Sequence, residues 1–348
     1  MSQEFLNLNQ QPQGLNFEER QNKLKKRWLF IIVFLLFLVG VILFFTLKTG
    51  LTFSKVFNVK SEYLSLVNKQ PVRDNDRINI LILGLRGEGD MYGGLLTDAI
   101  ILLSIKKSTG QMALISIPRD LYVDMPFPKE GKYKQQREKI NFAYALGVER
   151  LGRGGGLTYG KAIVSEISNL YLDFVVAVDF TAFQKIVDYL GGIAVELKQP
   201  FSEESQFSQE FLLNLPAGKN VLDGKTALYY VRSRYSTNDF DRARRQQEVL
   251  LAIKEKMIYT GILSNPVKFY DFLETFGAHI KMDISIDDMR ELLKIYPKLD
   301  FDNVIKKMFS PSFDGLLYSS QSDKGAYILL PVGDNFDKIQ QVIKGIFR

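Results

Sequence analysis

Three runs, "INILILGL" (Ile78 to Leu85), "DAIILLSI" (Asp98 to Ile105) and "MALISI" (Met112 to Ile117), are apolar almost without interruption. A strand with one wet face alternates apolar and polar residues, so runs like these belong to strands covered on both faces. "KKSTGQ" joins the second run to the third through a Thr109-Gly110 turn, so the sheet is not purely parallel. "FVVAVD" (Phe174 to Asp179) repeats the buried pattern, and "GGIAVEL" is a glycine turn into a further strand. Helical spacing runs from Asn141 to Gly147, across "TYGKAIVSEISNL" and across "FTAFQKIVDYL". "KEGKYKQQREKIN" reads as a polar loop, and "LDGKTALYYVRSR" as a short helix or turn leading into a strand. "FDRARRQQEVLLAIKEK" reads as a helix, and the chain closes with a strand, "AYILLP", and a helix, "DNFDKIQQVIKGIF". Buried strands alternating with helices predict an α/β domain, with a central mixed sheet covered on both faces, over residues 71–348.

Ahead of this domain, Trp28 to Leu47 carries no charge and would reach roughly 30 Å as a helix, enough to span a bilayer. A cleaved leader has a shorter apolar core that ends in small residues, whereas this run ends in "FFTLKTG". Lys23, Lys25, Lys26 and Arg27 precede it and only Lys48 and Lys55 follow closely, which orients the N-terminus to the cytoplasm. The sequence therefore predicts a cytoplasmic tail at 1–27, a transmembrane helix at 28–47, a stalk at 48–70 and an extracytoplasmic domain beyond. With no cysteine and one histidine, His279, thiol chemistry, disulfides and a His-rich metal site are excluded, and a Ser-His-Asp triad has almost nothing to build on. His279, on an apolar segment, reads as a packed residue.

"YYVRSRYSTNDFDRARRQQEVL" (Tyr229 to Leu250) concentrates five arginines. On a strand, Arg232 and Arg234 share a face. On the helix that follows, Arg242, Arg245 and Gln246 fall within a sector of roughly 100°, with Asp239 beside it. Arg244, Gln247 and Glu248 point elsewhere, towards solvent. Rigid guanidinium forks match phosphate oxygens, and amides at a helix start add to the attraction for an anion. A solvated helix face and a nucleic-acid patch also accommodate arginines, but a location outside the cell disfavours nucleic acid and favours a diphosphate. The glycine-rich stretch "LGLRGEGDMYGGLLTDAII" follows the first strand and offers Glu88, Asp90 and Asp98 at a strand end, where open α/β sheets bind ligands. Arg119 and Asp120 of "PRD" end a neighbouring strand.

Jointly, "NILILG", "TDAIILLSI", "LISIPRD", "KINFAYALG", "VDFTAFQKIVDYLGGIAVEL", "LDGKTALYYVRSR" and "DFDRARRQQ" resemble the LytR-CpsA-Psr family over about Ile78 to Lys256. The resemblance implies an α/β/α sandwich holding a polyprenyl pyrophosphate, with the lipid in an apolar tunnel and the diphosphate on arginines, with Mg²⁺. It implies transfer of a glycan phosphate from that carrier to a cell-wall acceptor such as a peptidoglycan hydroxyl. By motif, Arg119, Arg232, Arg234, Arg242, Arg245 and Gln246 would bind the diphosphate. Arg119, Arg232 and Asp239 would serve catalysis, Asp239 by orienting arginines or assisting the acceptor. Asp98, with Asp90, would hold the metal. Two positions depart from the family pattern: Arg86 stands near where a second metal-binding aspartate is common, and Leu96 replaces the arginine of "GRSD". A non-catalytic lipid- or glycan-binding regulator and a lipid-pyrophosphate hydrolase are the other functions compatible with these residues.

Overall fold

The structure, a computed structural model, describes residues 71–87, 94–129, 132–152, 154–204, 212–262, 265–277, 279–311 and 315–348. The chain divides into two units, residues 1–52 and 53–348, and the first lies wholly outside the described residues. The predicted span Trp28 to Leu47 and the stalk at 48–70 also lie outside them. Among the described residues no helix is long and apolar enough to cross a membrane.

The continuous apolar runs become the middle of a six-stranded sheet. Its strands are β1 (Arg77–Leu85), β2 (Thr97–Lys106), β3 (Met112–Ser116), β6 (Phe174–Asp179), β11 (Ile280–Met282) and β12 (Ile305–Met308), in the order β11-β6-β1-β2-β3-β12. The β1–β6 and β3–β12 pairs are parallel and the others antiparallel, so the sheet is mixed. Gly110, with φ of +75°, makes the predicted turn between β2 and β3.

Both faces are covered, which is why these strands lack a polar alternate. Leu81, Leu83, Leu102, Ile115 and Val175 join a core with α1 (Ala143–Leu151), α2 (Gly155–Ser168) and α8 (Asp337–Lys344). Ile80, Leu103, Ile105, Val176 and Val178 belong to a second core with α3 (Phe180–Tyr189), α5 (Asp239–Tyr259), α6 (Pro266–Phe276) and α7 (Ile286–Ile295). The result is a helix–sheet–helix sandwich.

Two sequence expectations are corrected. "LDGKTALYYVRSR" does not lead into a strand: α4 (Gly224–Arg232) runs through Arg232. Aromatic and β-branched residues favour a strand here, but Asp223 caps the helix by accepting from the Thr226 amide. Helical spacing then buries Ala227, Leu228, Tyr230 and Val231. A Cβ at Gly224 would lie 2.2 Å from the Gln184 carbonyl oxygen, so glycine is what lets α4 begin against α3. "KEGKYKQQREKIN" is no loop, because β4 (Tyr122–Lys129) and β5 (Lys132–Lys139) pair over eight positions. Backbone pairing in a two-stranded ribbon does not require the apolar alternation by which strands are read. The strand of "GGIAVEL", β7 (Ile193–Leu197), stays out of the central sheet and pairs with β10 (Gly218–Leu222). Two further small ribbons are β8 (Phe201–Glu203) with β9 (Leu213–Leu215), and β13 (Leu317–Gln321) with β14 (Tyr327–Pro331).

Candidate functional site

Between the second face of the sheet and helices α3 to α7 lies a cavity of ≈ 930 Å³. Its floor is built by alternate residues of the strands, among them Ile80 and Ile82 of β1, Ile101 and Leu103 of β2, and Val176 and Val178 of β6. Along α5, the residues Arg242, Gln246, Val249, Ile253 and Met257 follow the helical repeat down one wall. That stripe is about 22 Å long at 1.5 Å per residue.

Charge is confined largely to one end, and strand register explains why. Leu85, the last residue of β1, pairs with Thr97 on β2 and with Asp179 on β6. Arg86, Asp98 and Asp179 therefore meet at one end of the central strands, and Arg119, which follows β3, reaches the same end. Arg232 at the end of α4, Arg234 beyond it, and Arg242 and Gln246 on α5 line the cavity with them. Arg232 lies over the Phe180 ring, 4.7 Å from its centroid. Arg232 and Arg234 thus converge on one site although no strand carries them.

Asp98 is gripped from both sides. Arg119 Nη1 donates to Oδ1 at 2.5 Å and Arg86 Nε donates to Oδ2 at 2.8 Å. Burial opposes the carboxylate's charge, but the two guanidinium groups outweigh it and hold Asp98 below its ordinary pKa. Burial likewise opposes the Arg119 charge, but Asp98, Asp239 and Asp120 together raise its pKa. Asp239 bridges two arginines, 3.6 Å from Arg119 Nη2 and 3.1 Å from Arg242 Nη1, in a side groove that also holds Asp98 and Tyr327. Arg242 fares differently. Burial and the neighbouring Arg119 push its pKa down to about 10 despite Asp239. The buried Nε atoms of Arg119 and Arg242 have no hydrogen-bond acceptor. Arg119 Nε does lie 3.5 Å from Asp120 Oδ2, within ion-pair reach.

The structure does not bring Arg245 to this end. Its Nε donates to the Tyr230 carbonyl at 2.9 Å, and its Nη2 donates to the carbonyl of Ser233 and to Thr237 Oγ1. The last carbonyls of a helix have no partner within it, and Arg245 satisfies those at the end of α4. Phe201 and Tyr230 cover its guanidinium plane. Gln246 lines the cavity and also approaches the Val231 carbonyl at 3.4 Å. Arg244 is exposed and pairs with Asp241, whereas Gln247, expected in solvent, is buried. The Gln247 amide donates to Leu114 O, Ser116 Oγ and Lys307 O, tying α5 to β3 and β12.

Sequence reading missed Glu203, 1 % exposed, whose Oε2 accepts from the amides of Tyr235 and Ser236 and from Ser236 Oγ. It pins the segment that carries Arg234 from outside the arginine motif, and nothing in "FSEE" signals this. His279 is half-buried rather than simply packed, with Nδ1 2.7 Å from Asp179 Oδ2.

Mg²⁺ takes oxygen ligands in near-octahedral order and is usually held by one or two carboxylates plus substrate phosphates. Among the described residues no three acidic or imidazole side chains cluster to hold a metal. Both oxygens of Asp98 are occupied by guanidinium groups. Asp90, and with it Glu88, lies outside the described residues. The described donors do not fit the ion.

A ≈ 930 Å³ cavity, apolar along its length and lined by arginines at one end, sits in an α/β/α sandwich. The chain belongs to the LytR_cpsA_psr family, whose model matches residues 48–344. Polyisoprenyl-teichoic acid–peptidoglycan teichoic acid transferase TagU of Oceanobacillus iheyensis is 29% identical over 291 residues, covering 80% of this chain and 84% of that protein. TagT of Bacillus subtilis, which carries the same transferase name, is 28% identical over 287 residues, covering 78% and 81%. The solved structure titled "TagT bound to LIIa-WTA" superposes with a TM-score of 0.57 at 24% identity, over 80% of this chain and 96% of that one, and shows the shared fold.

Proposed function

We propose that this chain is a glycopolymer phosphotransferase, moving a glycan phosphate from a polyprenyl-pyrophosphate carrier to a hydroxyl of a peptidoglycan-like wall polymer. The continuity of one cavity carries this reading: arginines line one end, and an apolar stretch continues from them along α5 from Val249 to Met257, about 12 Å. The diphosphate lies against Arg119, Arg232, Arg234, Arg242 and Gln246, with the polyprenyl tail over Ile82, Ile101 and Val178. The transferase names of its relatives supply the reaction class. An N-terminal anchor over Trp28 to Leu47 places the domain outside the cell membrane, where carrier and wall meet and where nucleotides are not available.

The acceptor hydroxyl oxygen attacks the sugar-side phosphorus and forms one P–O bond. The bond from that phosphorus to the bridging oxygen breaks, polyprenyl phosphate leaves, and the hydroxyl proton passes to Asp239 or onward to water. Arginines fixed before the reaction stabilise charge gathering on the bridging and equatorial oxygens without reorganising. Asp239 holds Arg119 and Arg242 in register for this.

The test incubates the full chain in detergent with a polyprenyl-diphosphate-linked glycan and peptidoglycan. Wild type should release polyprenyl phosphate and label the acceptor, and Arg232→Ala should fall to background. Equal, background-level release by both would overturn the transferase. Release without acceptor labelling would leave a hydrolase, and binding without release would leave a non-catalytic regulator.

A further inference from the structure

Arg86 is the residue at the charged end that the transferase reading leaves without a task. It directly follows Leu85, the last residue of the central strand, which pairs with Thr97 and Asp179. Its Nε lies 2.8 Å from Asp98 Oδ2, while Arg119 takes Oδ1 at 2.5 Å. A divalent cation placed on Asp98 would have to break both ion pairs and then face two displaced guanidinium groups at contact distance. Like charges that close in a site that excludes water repel strongly.

This end is rich in guanidinium groups. Among the described residues, Arg86, Arg119, Arg232, Arg234 and Arg242 gather here around Asp98 and Asp179, and Asp120 and Asp239 also lie against Arg119. A diphosphate diester carries two negative charges. A guanidinium also offers paired donors in the plane that phosphate oxygens need. Resting on the transferase reading of this site, we propose that Arg86 is a built-in replacement for a divalent metal. The Arg86–Asp98–Arg119 clamp lets this chain hold and activate a prenyl diphosphate without Mg²⁺. Asp98 keeps the two arginines parallel before the ligand arrives. Arg86 supplies to the diphosphate oxygens the positive charge that an ion would otherwise bring.

The experiment measures binding of geranylgeranyl diphosphate to the detergent-solubilised full chain by calorimetry, once in EDTA and once in millimolar Mg²⁺. Wild type should bind equally in the two, within about twofold, the scatter expected when no interaction is gained or lost. Arg86→Gln should weaken binding about tenfold or more in both conditions, since a charge-assisted hydrogen bond is lost. Arg86→Asp should lose affinity in EDTA and regain it in Mg²⁺, because it sets a second carboxylate beside Asp98. Thermal unfolding of each variant confirms that it is folded, and Arg86→Gln carries the test if Arg86→Asp is not. Wild-type binding that strengthens about tenfold or more with Mg²⁺, or Arg86→Gln binding like wild type, overturns the proposal and leaves the transferase reading standing. No binding by wild type in either condition removes the prenyl-diphosphate site itself, and this proposal with it.

Discussion

One oxygen of Glu203, Oε2, accepts both the backbone amide of Ser236, at 3.0 Å, and the Ser236 hydroxyl, at 3.1 Å. The Tyr235 amide donates to the same oxygen at 3.0 Å. A buried carboxylate with three donors is tied to its loop, and here the loop carries Arg234. Glu203→Ala leaves those donors unpaired and should cost about 2–3 kcal/mol of stability. It should also weaken prenyl-diphosphate binding, because Arg234 is no longer held. Glu203→Gln, which keeps one acceptor oxygen, should recover most of the stability in thermal unfolding. Equal affinity in wild type and Glu203→Ala would show that Arg234 does not depend on this anchor.

Arg242 and Arg245 are three residues apart on one helix, and their substitutions should diverge. Arg245→Ala removes the partner of the Tyr230 and Ser233 carbonyls, so unfolding should occur at a lower temperature. Arg242 is 6 % exposed, and its folded pKa of about 10 lies below that of an ordinary guanidinium. A cation with a depressed folded pKa destabilises the fold while charged. Stability therefore rises as pH climbs past about 10, and the full cost, on the order of 3 kcal/mol, is present at neutral pH. Arg242→Gln should accordingly leave the ligand-free protein at least as stable as wild type while abolishing diphosphate binding. Calorimetry and thermal unfolding of both variants, with and without geranylgeranyl diphosphate, check the pair of outcomes.

Leu250 faces the apolar part of the cavity from α5. Leu250→Trp adds volume where there is space, so stability should change by less than about 1.5 kcal/mol. The indole should obstruct the bore, so affinity should fall steeply for a long prenyl diphosphate and little for dimethylallyl diphosphate. A uniform loss for both ligands in competition binding would place the tail elsewhere.

Gln247 donates to three acceptors on two strands from a buried position. Gln247→Leu leaves the Ser116 hydroxyl and two carbonyls short of a donor and should destabilise by about 2 kcal/mol. Denaturant unfolding should show this with prenyl-diphosphate affinity unchanged, because the amide does not reach the cavity.

Much of the fold is legible because it is local. β1, β2, β3 and β6 follow from uninterrupted apolar runs, and α2, α3 and α8 from helical spacing. The strand order, the transfer of β7 to a separate ribbon and the β4–β5 hairpin are decided by backbone pairing, which side-chain pattern does not encode. The site divides along the same line. Arg242 and Gln246 share a helical face by spacing alone, and both line the cavity. Arg245 shares that sector in sequence but turns to the free carbonyls ending α4.

Sequence by itself determined the inventory: a chain without thiols, with one histidine, an arginine cluster and strands that must be buried on both faces. Tertiary structure decided the assignment of those arginines. A guanidinium goes to whichever unpaired acceptors lie within reach, and only the folded chain places them. For Arg245 these are helix-end carbonyls, and for Arg86 they are an oxygen of Asp98. For Arg119 and Arg242 the buried Nε atoms make no hydrogen bond, and both side chains line the cavity.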